Sequence, residues 1–389
     1  MENGLQVQVV GGGIAGLAAA LACAQSGANV HLCEQAAAIK EVGAGLQISP
    51  NGLAVLSRLG LKDAVADIAD RAEAVDLRDY KDGKLVCRLD LKAHASDLDF
   101  LLVHRADLIQ TLFQACKAQG VRFAFSQSLS SQDLLSGAFG REAAASPVDL
   151  VIGADGVRSN MRTAVLGPSA PFFTGQVAWR ALVSNSMDHP NKVMVHMGPG
   201  RHIVSYPLRG GSLVNLVMVQ ERSLWAGEGW SHRDDPAHVR AAFADFGGLA
   251  HVLLNALSEV YLWGLFRHPV AECWFQDRSV LIGDAAHPML PFLAQGANMA
   301  LEDAWVLSRA LHLHGATRQG FQRYQFLRQA RVKKVVATAQ SNARNYHLSA
   351  PLTRWVAHSA LRGLGAVAPS AMLKRFDWLY RFNPDTGLS

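Results

Sequence analysis

The stretch that decides the fold is Leu5-Gln6-Val7-Gln8-Val9-Val10 followed by Gly11-Gly12-Gly13-Ile14-Ala15-Gly16. The first six residues are rich in β-branched side chains and predict a strand, and the Ala- and Leu-rich run to about residue 26 predicts a helix. Residues 29–33 predict a second strand. The turn between strand and helix fits the pattern G-x-G-x-x-G, with Gly11, Gly13 and Gly16 at its fixed positions.

This pattern predicts a Rossmann-type site for a dinucleotide. Gly11 permits the tight turn, Gly13 lets the backbone approach a pyrophosphate, and Gly16 lets the helix pack on the strand. The helix start at residues 13–16 offers free N–H groups and partial positive charge to the phosphates. Glu34 follows Gly16 by 18 residues, where a carboxylate accepts hydrogen bonds from the adenosine ribose.

Two later turns indicate which dinucleotide binds. Residues 148–153 predict a strand that ends in Asp155-Gly156-Val157-Arg158-Ser159, and residues 279–283 predict another that ends in Gly283-Asp284. Acidic turns at the carboxyl ends of parallel strands suit the ribityl hydroxyls of a flavin, although Asp-Gly and Gly-Asp are also ordinary turn dipeptides. Gln295-Gly296-Ala297-Asn298 then begins a helix whose positive end suits the N1–C2=O edge of the flavin ring.

These motifs, in this order, resemble the group A flavoprotein monooxygenases, in particular the salicylate hydroxylase and 3-hydroxybenzoate 6-hydroxylase branch. The family's D-G and G-D motifs are matched by Asp155-Gly156 and Gly283-Asp284, and its pyrophosphate-side arginine looks like Arg105. The ending, residues 375–380, is also similar to that branch. The resemblance implies FAD, with Arg158 added to the cofactor-binding residues.

The domain organisation follows from a change of pattern along the chain. Alternating runs at 192–196, 202–207 and 212–219 predict an antiparallel sheet within a chain that is otherwise α/β. We expect a p-hydroxybenzoate hydroxylase-like architecture. Its FAD-binding domain is discontinuous (1–73, 100–171 and 276–335), with an inserted antiparallel-sheet substrate domain (74–99 and 172–275) and a helical C-terminal region (336–389).

The chain contains no second G-x-G-x-x-G unit between a strand and a helix, and no C-x-x-C pair. The resemblance accordingly implies that NADH or NADPH docks transiently and reduces the FAD. It further implies that O₂ reacts to give a flavin C4a-hydroperoxide. That species delivers one oxygen atom to an electron-rich aromatic ring, while the other leaves as water.

Candidate catalytic residues lie in Arg201-His202-Ile203-Val204-Ser205-Tyr206-Pro207. In a strand, His202 and Tyr206 face the same side, about 13 Å apart. In the resembling branch a His and a Tyr at this spacing line the substrate site, and the His acts as the base. The alternative is that His202 is a satisfied strand histidine and Tyr206 is core packing.

Other candidate residues come with alternatives. Leu290, Pro291 and Phe292 predict an apolar wall of the substrate pocket, where some relatives have a polar residue. Arg180 either gates the flavin or steers a carboxylate, or lies at a sheet edge. Gln47 either faces the flavin or is an ordinary loop glutamine.

Composition excludes other classes. The net charge of +5, from 37 basic and 32 acidic residues, comes without a basic block, which argues against nucleic-acid binding. Five cysteines without ligand spacing argue against a metal site and for a reducing compartment. The most apolar stretch, 14–24, is too short for a membrane span, and no secretory signal is visible. We therefore expect a cytoplasmic protein, and the oligomeric state stays open between monomer and homodimer.

Three functions remain open from the sequence. The first is hydroxylation of a small phenolic acid of the hydroxybenzoate, salicylate or hydroxypyridine carboxylate type. The second is a monooxygenase acting on a larger hydrophobic ring, such as a polyketide or quinone precursor. The third is a flavoprotein that senses redox state or binds a partner through its basic, aromatic C-terminal tail.

Overall fold

The computed structural model describes residues 4–39, 45–130, 133, 148–223 and 232–388. The strands in these ranges are β1 Gln6–Val10, β2 Asn29–Cys33, β3 Gly45–Ile48, β4 Ala69–Arg71, β5 Ala74–Asp79, β6 Leu85–Asp90, β7 Leu101–His104, β8 Arg122–Ala124, β9 Leu150–Gly153, β10 Phe172–Ser184, β11 Lys192–Gly198, β12 Arg201–Leu208, β13 Leu213–Glu221, β14 His232–Asp234, β15 Val260–Arg267, β16 Phe275–Gln276 and β17 Ser279–Leu281.

The helices in the same ranges are α1 Ile14–Gln25, α2 Pro50–Arg58, α3 Lys62–Ala66, α4 Leu91–His94, α5 Arg105–Ala118, α6 Asn160–Leu166, α7 Pro236–Ala242, α8 Leu249–Asn255, α9 Gly296–His314, α10 Arg318–Tyr346, α11 Pro351–Val367, α12 Pro369–Lys374 and α13 Asp377–Tyr380. Two 3₁₀ turns, Gly283–Ala285 and Pro291–Leu293, precede α9. No helix in the described ranges combines the length and apolar character that crossing a bilayer requires.

The nucleotide-side sheet has the strand order β16-β17-β9-β1-β2-β8. Its β1, β2, β8, β9 and β17 are parallel, and only β16 pairs antiparallel. Helix α1 is apolar and buried on nearly all its faces because the sheet, α5 and α9 surround it. This is the strand–helix–strand unit that the opening sequence predicts.

Backbone crowding explains two of the fingerprint glycines. Gly11 has φ +106°, a conformation that a side chain disfavours. A Cβ on Gly16 would lie 1.9 Å from the carbonyl oxygen of Gly11. Both glycines therefore serve the turn and the packing of α1.

The second sheet has the order β14-β15-β10-β13-β12-β11-β5-β6, antiparallel except where β5 pairs with β11. Alternate residues of its long strands face opposite sides. On β10, Trp179 packs with Phe243 and Phe246 beneath α7 and α8, whereas Arg180 faces the other way, towards the first sheet. A third sheet, β3-β7-β4, is antiparallel.

The two main sheets draw their strands from different parts of the chain. Strands of the larger sheet lie within 74–90 and 172–267, and those of the parallel sheet lie outside these ranges. This division of the strands between the two sheets supports the proposed domain boundaries. Helix α10 runs without a break through the position between 335 and 336 where a C-terminal region was predicted to begin.

Candidate active site

A cavity of about 380 Å³ lies between the two main sheets. It brings together predicted residues that are up to 284 positions apart in the chain (Gly13 to Ala297). The predicted cofactor residues that line it are Gly13, Ile14, Ala15, Gln47, Arg105, Asp284, Gly296 and Ala297. The predicted catalytic and pocket residues that line it are Arg180, His202, Tyr206, Leu290, Pro291 and Phe292.

Three glycines open the cavity wall to a ligand. A Cβ added to Gly13, Gly156 or Gly296 would meet no atom within 4 Å in the described part of the chain, and all three line the cavity. Their bare backbone can therefore approach a bound molecule closely. This space at a helix start and at the carboxyl ends of parallel strands fits a dinucleotide.

Helix α9 also presents its N-terminus to the cavity. Gln295, at the N-cap, does not cap the helix with its side chain, because that side chain bonds Ser49 and Asn51. The first N–H groups, at Gly296 and Ala297, are thus available to a ligand, and their positive end suits an electron-rich ring edge.

Arg105 and Asp284 face the cavity from opposite elements. Arg105 begins α5, and Asp284 lies in a 3₁₀ turn and keeps an exposed surface within the cavity. Burial among protein atoms raises the pKa of Asp284, and the nearby charges of His287 and Arg105 oppose that rise. A cation and a carboxylate placed here suit a pyrophosphate and ribityl hydroxyls, respectively.

Glu34 lies beside the glycine turn, outside the residues that line the cavity. Its carboxylate accepts the backbone N–H groups of Gly12 at 2.6 Å and Ala36 at 2.8 Å. A carboxylate has more acceptor sites than these two bonds use. The position therefore remains compatible with an adenosine ribose.

The side chains of Asp155 and Arg158 do not line the cavity, and their roles at the cofactor stay a prediction. Asp155 accepts the Ser159 hydroxyl at 2.5 Å and the N–H of Met161 at 3.0 Å, and so organises the start of α6. Arg158 is exposed and does not line the cavity. At this turn it is Gly156, whose backbone must stay bare, that reaches the cavity.

Asn298 is a third predicted cofactor residue that does not line the cavity. It is fully buried, and its side chain accepts the N–H of Ser49 at 3.1 Å and donates to the carbonyl oxygens of Gln47 and Ala294. Its side chain therefore holds strand β3, and with it Gln47, against α9. It acts as a positioning residue behind the cavity wall.

The opposite end of the cavity is built on β12. His202 and Tyr206 both line it and lie on one face of the strand, as the two-residue period requires. Rings of Phe292 and Tyr346 lie 5.4 Å from the His202 ring. Burial lowers the pKa of His202, which keeps the imidazole neutral.

Arg180 supplies the positive charge of this end. Its guanidinium stacks on Trp263 at 4.8 Å, and it borders the cavity. Burial raises the pKa of the Tyr206 hydroxyl, and the Arg180 charge works against that rise. The pocket end thus combines a neutral imidazole, a protonated phenol and a cation within largely apolar walls.

Sequence reasoning missed a pair of residues behind His202. His202 Nδ1 lies 2.7 Å from His347 Nε2, and His347 Nδ1 donates to Glu221 Oε1 at 2.8 Å. His347 follows α10, 145 positions after His202, so no local pattern signals the contact. The C-terminal tail was also missed as a wall of the cavity: the residues it contributes are Asn342, Tyr346, Phe376 and Tyr380.

Comparison with known proteins decides the family. A family model described as an FAD binding domain matches residues 4–339. A 3-amino-4-hydroxybenzoate 2-monooxygenase of Streptomyces cremeus is 35% identical over 362 residues, which cover 90% of this chain and 89% of that protein. The chain belongs to the FAD-dependent aromatic monooxygenases.

Further similarities agree with this membership. The monooxygenase is 31% identical to a 3-hydroxybenzoate 6-hydroxylase of Klebsiella oxytoca, with 100% of this chain and 99% of that protein covered. A solved salicylate hydroxylase substrate complex superposes with a TM-score of 0.80 at 24% identity, over 100% of this chain and 98% of the other, and confirms the expected fold. FAD is the cofactor, and membership favours an enzyme over the non-enzymatic alternative.

Proposed function

We propose that this monooxygenase hydroxylates a small aromatic acid that carries a ring hydroxyl, using NADH or NADPH and O₂. The observation that carries the proposal is that a neutral imidazole, His202, and a guanidinium, Arg180, border one cavity that is continuous with the FAD site. A phenolic acid has one group for each: an acidic hydroxyl and a carboxylate. The curated relatives that act on hydroxybenzoates support this substrate class.

The protein's part in the reaction is to hold, orient and deprotonate the ring. FAD, when bound, supplies the oxygen chemistry. The Nε2 atom of His202 accepts the proton of the ring hydroxyl, because an ionised phenol is a much better nucleophile. Arg180 pairs with the carboxylate and fixes the orientation of the ring. Leu290, Pro291 and Phe292 exclude water from the reacting centre.

The main test is turnover of the holoprotein with a panel of aromatic compounds. We expect hydroxybenzoates, aminohydroxybenzoates or hydroxypyridine carboxylates to accelerate NADH or NADPH oxidation and to give one hydroxylated product per nucleotide consumed. Nucleotide consumption that yields only hydrogen peroxide with every compound would contradict the proposal and indicate an oxidase. Faster turnover of large neutral rings would favour the second enzyme hypothesis, which the apolar wall at 290–292 supports.

The role of Arg180 discriminates between the two substrate classes. Replacement by Met (Arg180→Met) should raise the KM of a phenolic acid about 10- to 100-fold, the worth of a charged hydrogen bond, and leave that of a neutral phenol unchanged. Arg222→Met is the matched control, since Arg222 stacks on Trp179 at 4.7 Å in the same sheet but outside the cavity lining. If Arg180→Met changed the KM of acids and of neutral phenols equally, the substrate carboxylate would not bind at Arg180.

Two finer proposals accompany the function. A cytoplasmic location is supported by the five cysteines, which are all free, as is typical of a reducing compartment.

Association as a homodimer is supported by α11, where Leu352, Trp355 and Val356 share one helix face and are each more than half exposed. Exposed apolar patches of this kind are typical of protein–protein contacts.

A further inference from the structure

We propose that His202, His347 and Glu221 form a proton relay that fixes the basic tautomer of His202 and carries the substrate's proton from the cavity to solvent. The proposal rests on the proposed function, since it describes how the base of that reaction is set and reset. It assigns a positioning and proton-transfer role to His347 and Glu221, which lie between His202 and the protein surface.

The geometry is a continuous line of hydrogen-bonding atoms. His202 borders the cavity and is only 2% exposed. Its Nδ1 meets Nε2 of His347 at 2.7 Å, and Nδ1 of His347 meets the Glu221 carboxylate at 2.8 Å. The His347 side chain is buried, whereas the Glu221 side chain is 51% exposed. The line therefore begins at the cavity and ends in water.

The carboxylate determines where each proton lies. An ionised Glu221 only accepts, so a neutral His347 must carry its proton on Nδ1 and present Nε2 as an acceptor. His202 must then donate from Nδ1, which leaves its Nε2 as the acceptor. That atom has no hydrogen-bond partner within the described ranges, and its ring faces the cavity. The result is a base with its lone pair directed at the substrate.

Proton transfer along the line balances at each atom. The ring O–H bond breaks and an Nε2–H bond forms on His202. The Nδ1–H bond of His202 breaks as Nε2–H forms on His347, and the Nδ1–H bond of His347 breaks as an O–H bond forms on Glu221. Glu221 then releases the proton to water. Each imidazole ends neutral with its proton on the opposite nitrogen, and ring rotation or the reverse passage of a proton restores it.

The charges around the relay favour this direction. Both histidines are buried, and burial lowers the pKa of each. The Glu221 carboxylate opposes the shift at His347. Around the His202 ring lie His347, Phe292 and Tyr346, and Arg180 and Tyr206 border the same cavity. Before reaction both imidazoles are therefore neutral, and the Glu221 carboxylate lies at the solvent end of the relay. This carboxylate stabilises an imidazolium that forms during proton transfer, so no lasting charge is needed in the protein interior.

The first test removes the charge and keeps the hydrogen bond. In Glu221→Gln the amide oxygen still accepts from His347 Nδ1, so the rings keep their places. We expect turnover at neutral pH to fall about 10-fold, less than the 10²–10⁴ attributed to a general base itself. Because the Glu221 carboxylate opposes the lowering of the His347 pKa, its loss should shift the acid limb of the turnover profile to lower pH, and it should reduce the fraction of a bound phenolic acid that is ionised at neutral pH. The latter is read from its ultraviolet spectrum on the oxidised holoprotein.

The matched control is Glu259→Gln. Glu259 is a half-exposed glutamate that pairs with Arg233 and does not line the cavity. This variant should keep the wild-type pH profile. A Glu221→Gln profile that coincides with the wild-type profile, at equal FAD content, would overturn the relay. A wild-type protein that oxidises no NADH or NADPH in response to any phenolic acid would instead overturn the proposed function itself.

The second test replaces the middle of the relay. His347→Ala opens a space beside His202, and added imidazole, which carries both an N–H donor and an acceptor, should restore turnover. Added 1-methylimidazole fills the same space without an N–H group and should not restore it. Equal rescue by both compounds would mean that His347 acts only by filling space, which would refute the relay.

Discussion

At the scale of single residues, the three glycines of the fingerprint separate into two kinds. Gly16 is crowded by backbone, because a Cβ there would lie 1.9 Å from a carbonyl oxygen. Gly13 has open space where its Cβ would be and lines the cavity. The motif therefore combines a requirement of the fold with a requirement of the cofactor, and substitution separates them.

We predict that Gly13→Val and Gly16→Val fail in different ways. Gly13→Val should fold with a near wild-type thermal midpoint but purify without flavin colour, because its side chain occupies the space of the pyrophosphate. Gly16→Val should be destabilised or insoluble, because α1 is forced away from β1. The absorbance ratio of flavin to protein and the thermal midpoint measure the two outcomes. A yellow Gly13→Val protein with wild-type FAD affinity would contradict the assignment.

Which site residues the sequence predicts depends on how local their signal is. His202 and Tyr206 share a face because of a period that operates within one strand, so their common orientation is visible in the sequence. His347 reaches His202 only through the packing of α10 against the larger sheet, and no spacing rule encodes that contact. For Asp155 the motif predicts contact with the cofactor, whereas the role that the structure adds, organising the start of α6, depends on contacts with Ser159 and Met161.

At the scale of elements, buried ion pairs hold α9 and α10 together beneath the cofactor turn. Arg328 of α10 is fully buried and pairs with Glu302 and Asp303 of α9. Asp303 also accepts the N–H of Gly283 at 2.9 Å and lies 2.5 Å from His287. The charges of one helix pair thus fix the backbone that precedes Asp284 in the cavity.

We predict that Arg328→Met destabilises the protein by about 3–5 kcal/mol, because it removes the arginine that pairs with Asp303 and one of the two arginines that pair with Glu302, both of which are buried. The measurement is the free energy of unfolding in urea, followed by fluorescence of the FAD-free protein. Arg233→Met is the control: it breaks an exposed pair with Glu259 and should cost no more than about 1 kcal/mol. Similar losses in both variants would show that the buried cluster contributes little.

The same helix pair shows where sequence-based prediction of elements stops. The start of helix α9 was predicted at residues 295–298, and the helix begins there, at Gly296. The first half of α10, from Arg318, was not predicted, since its sequence is dominated by Arg and Gln. It is held by ion pairs with α9 and by a few buried apolar side chains such as Phe321 and Tyr324, and ion pairs of that kind carry no periodic signal.

At the scale of the whole molecule, several histidines are buried in the neutral form. Burial lowers the pKa of His189, His196, His202, His268 and His347. In the unfolded chain these groups titrate near 6.5. Each therefore stabilises the fold above that pH, and its contribution is lost as the pH falls towards the lower value of the folded state.

For His196 the pH-dependent contribution to the free energy of unfolding can be given a value. It is fully buried on β11, neither ring nitrogen has a hydrogen-bond partner in the described part of the chain, and burial lowers its pKa to about 4. Arg78 and His189 lower the pKa further, and Asp76 opposes them. The linked loss between pH 6.5 and pH 4 is at most roughly 3.5 kcal/mol, at about 1.4 kcal/mol per pKa unit.

We therefore predict that His196→Leu flattens the acid side of the stability curve. The free energy of unfolding of the wild-type protein should fall steeply as the pH drops from about 6.5 to 4, and that of the variant less steeply, whatever its stability at neutral pH. His312→Leu, an exposed position on α9, should keep the wild-type slope. Parallel curves for the wild-type protein and His196→Leu would mean that this imidazole is hydrated or paired in solution. Acid sensitivity would then arise from the remaining buried histidines, including the His202–His347 pair.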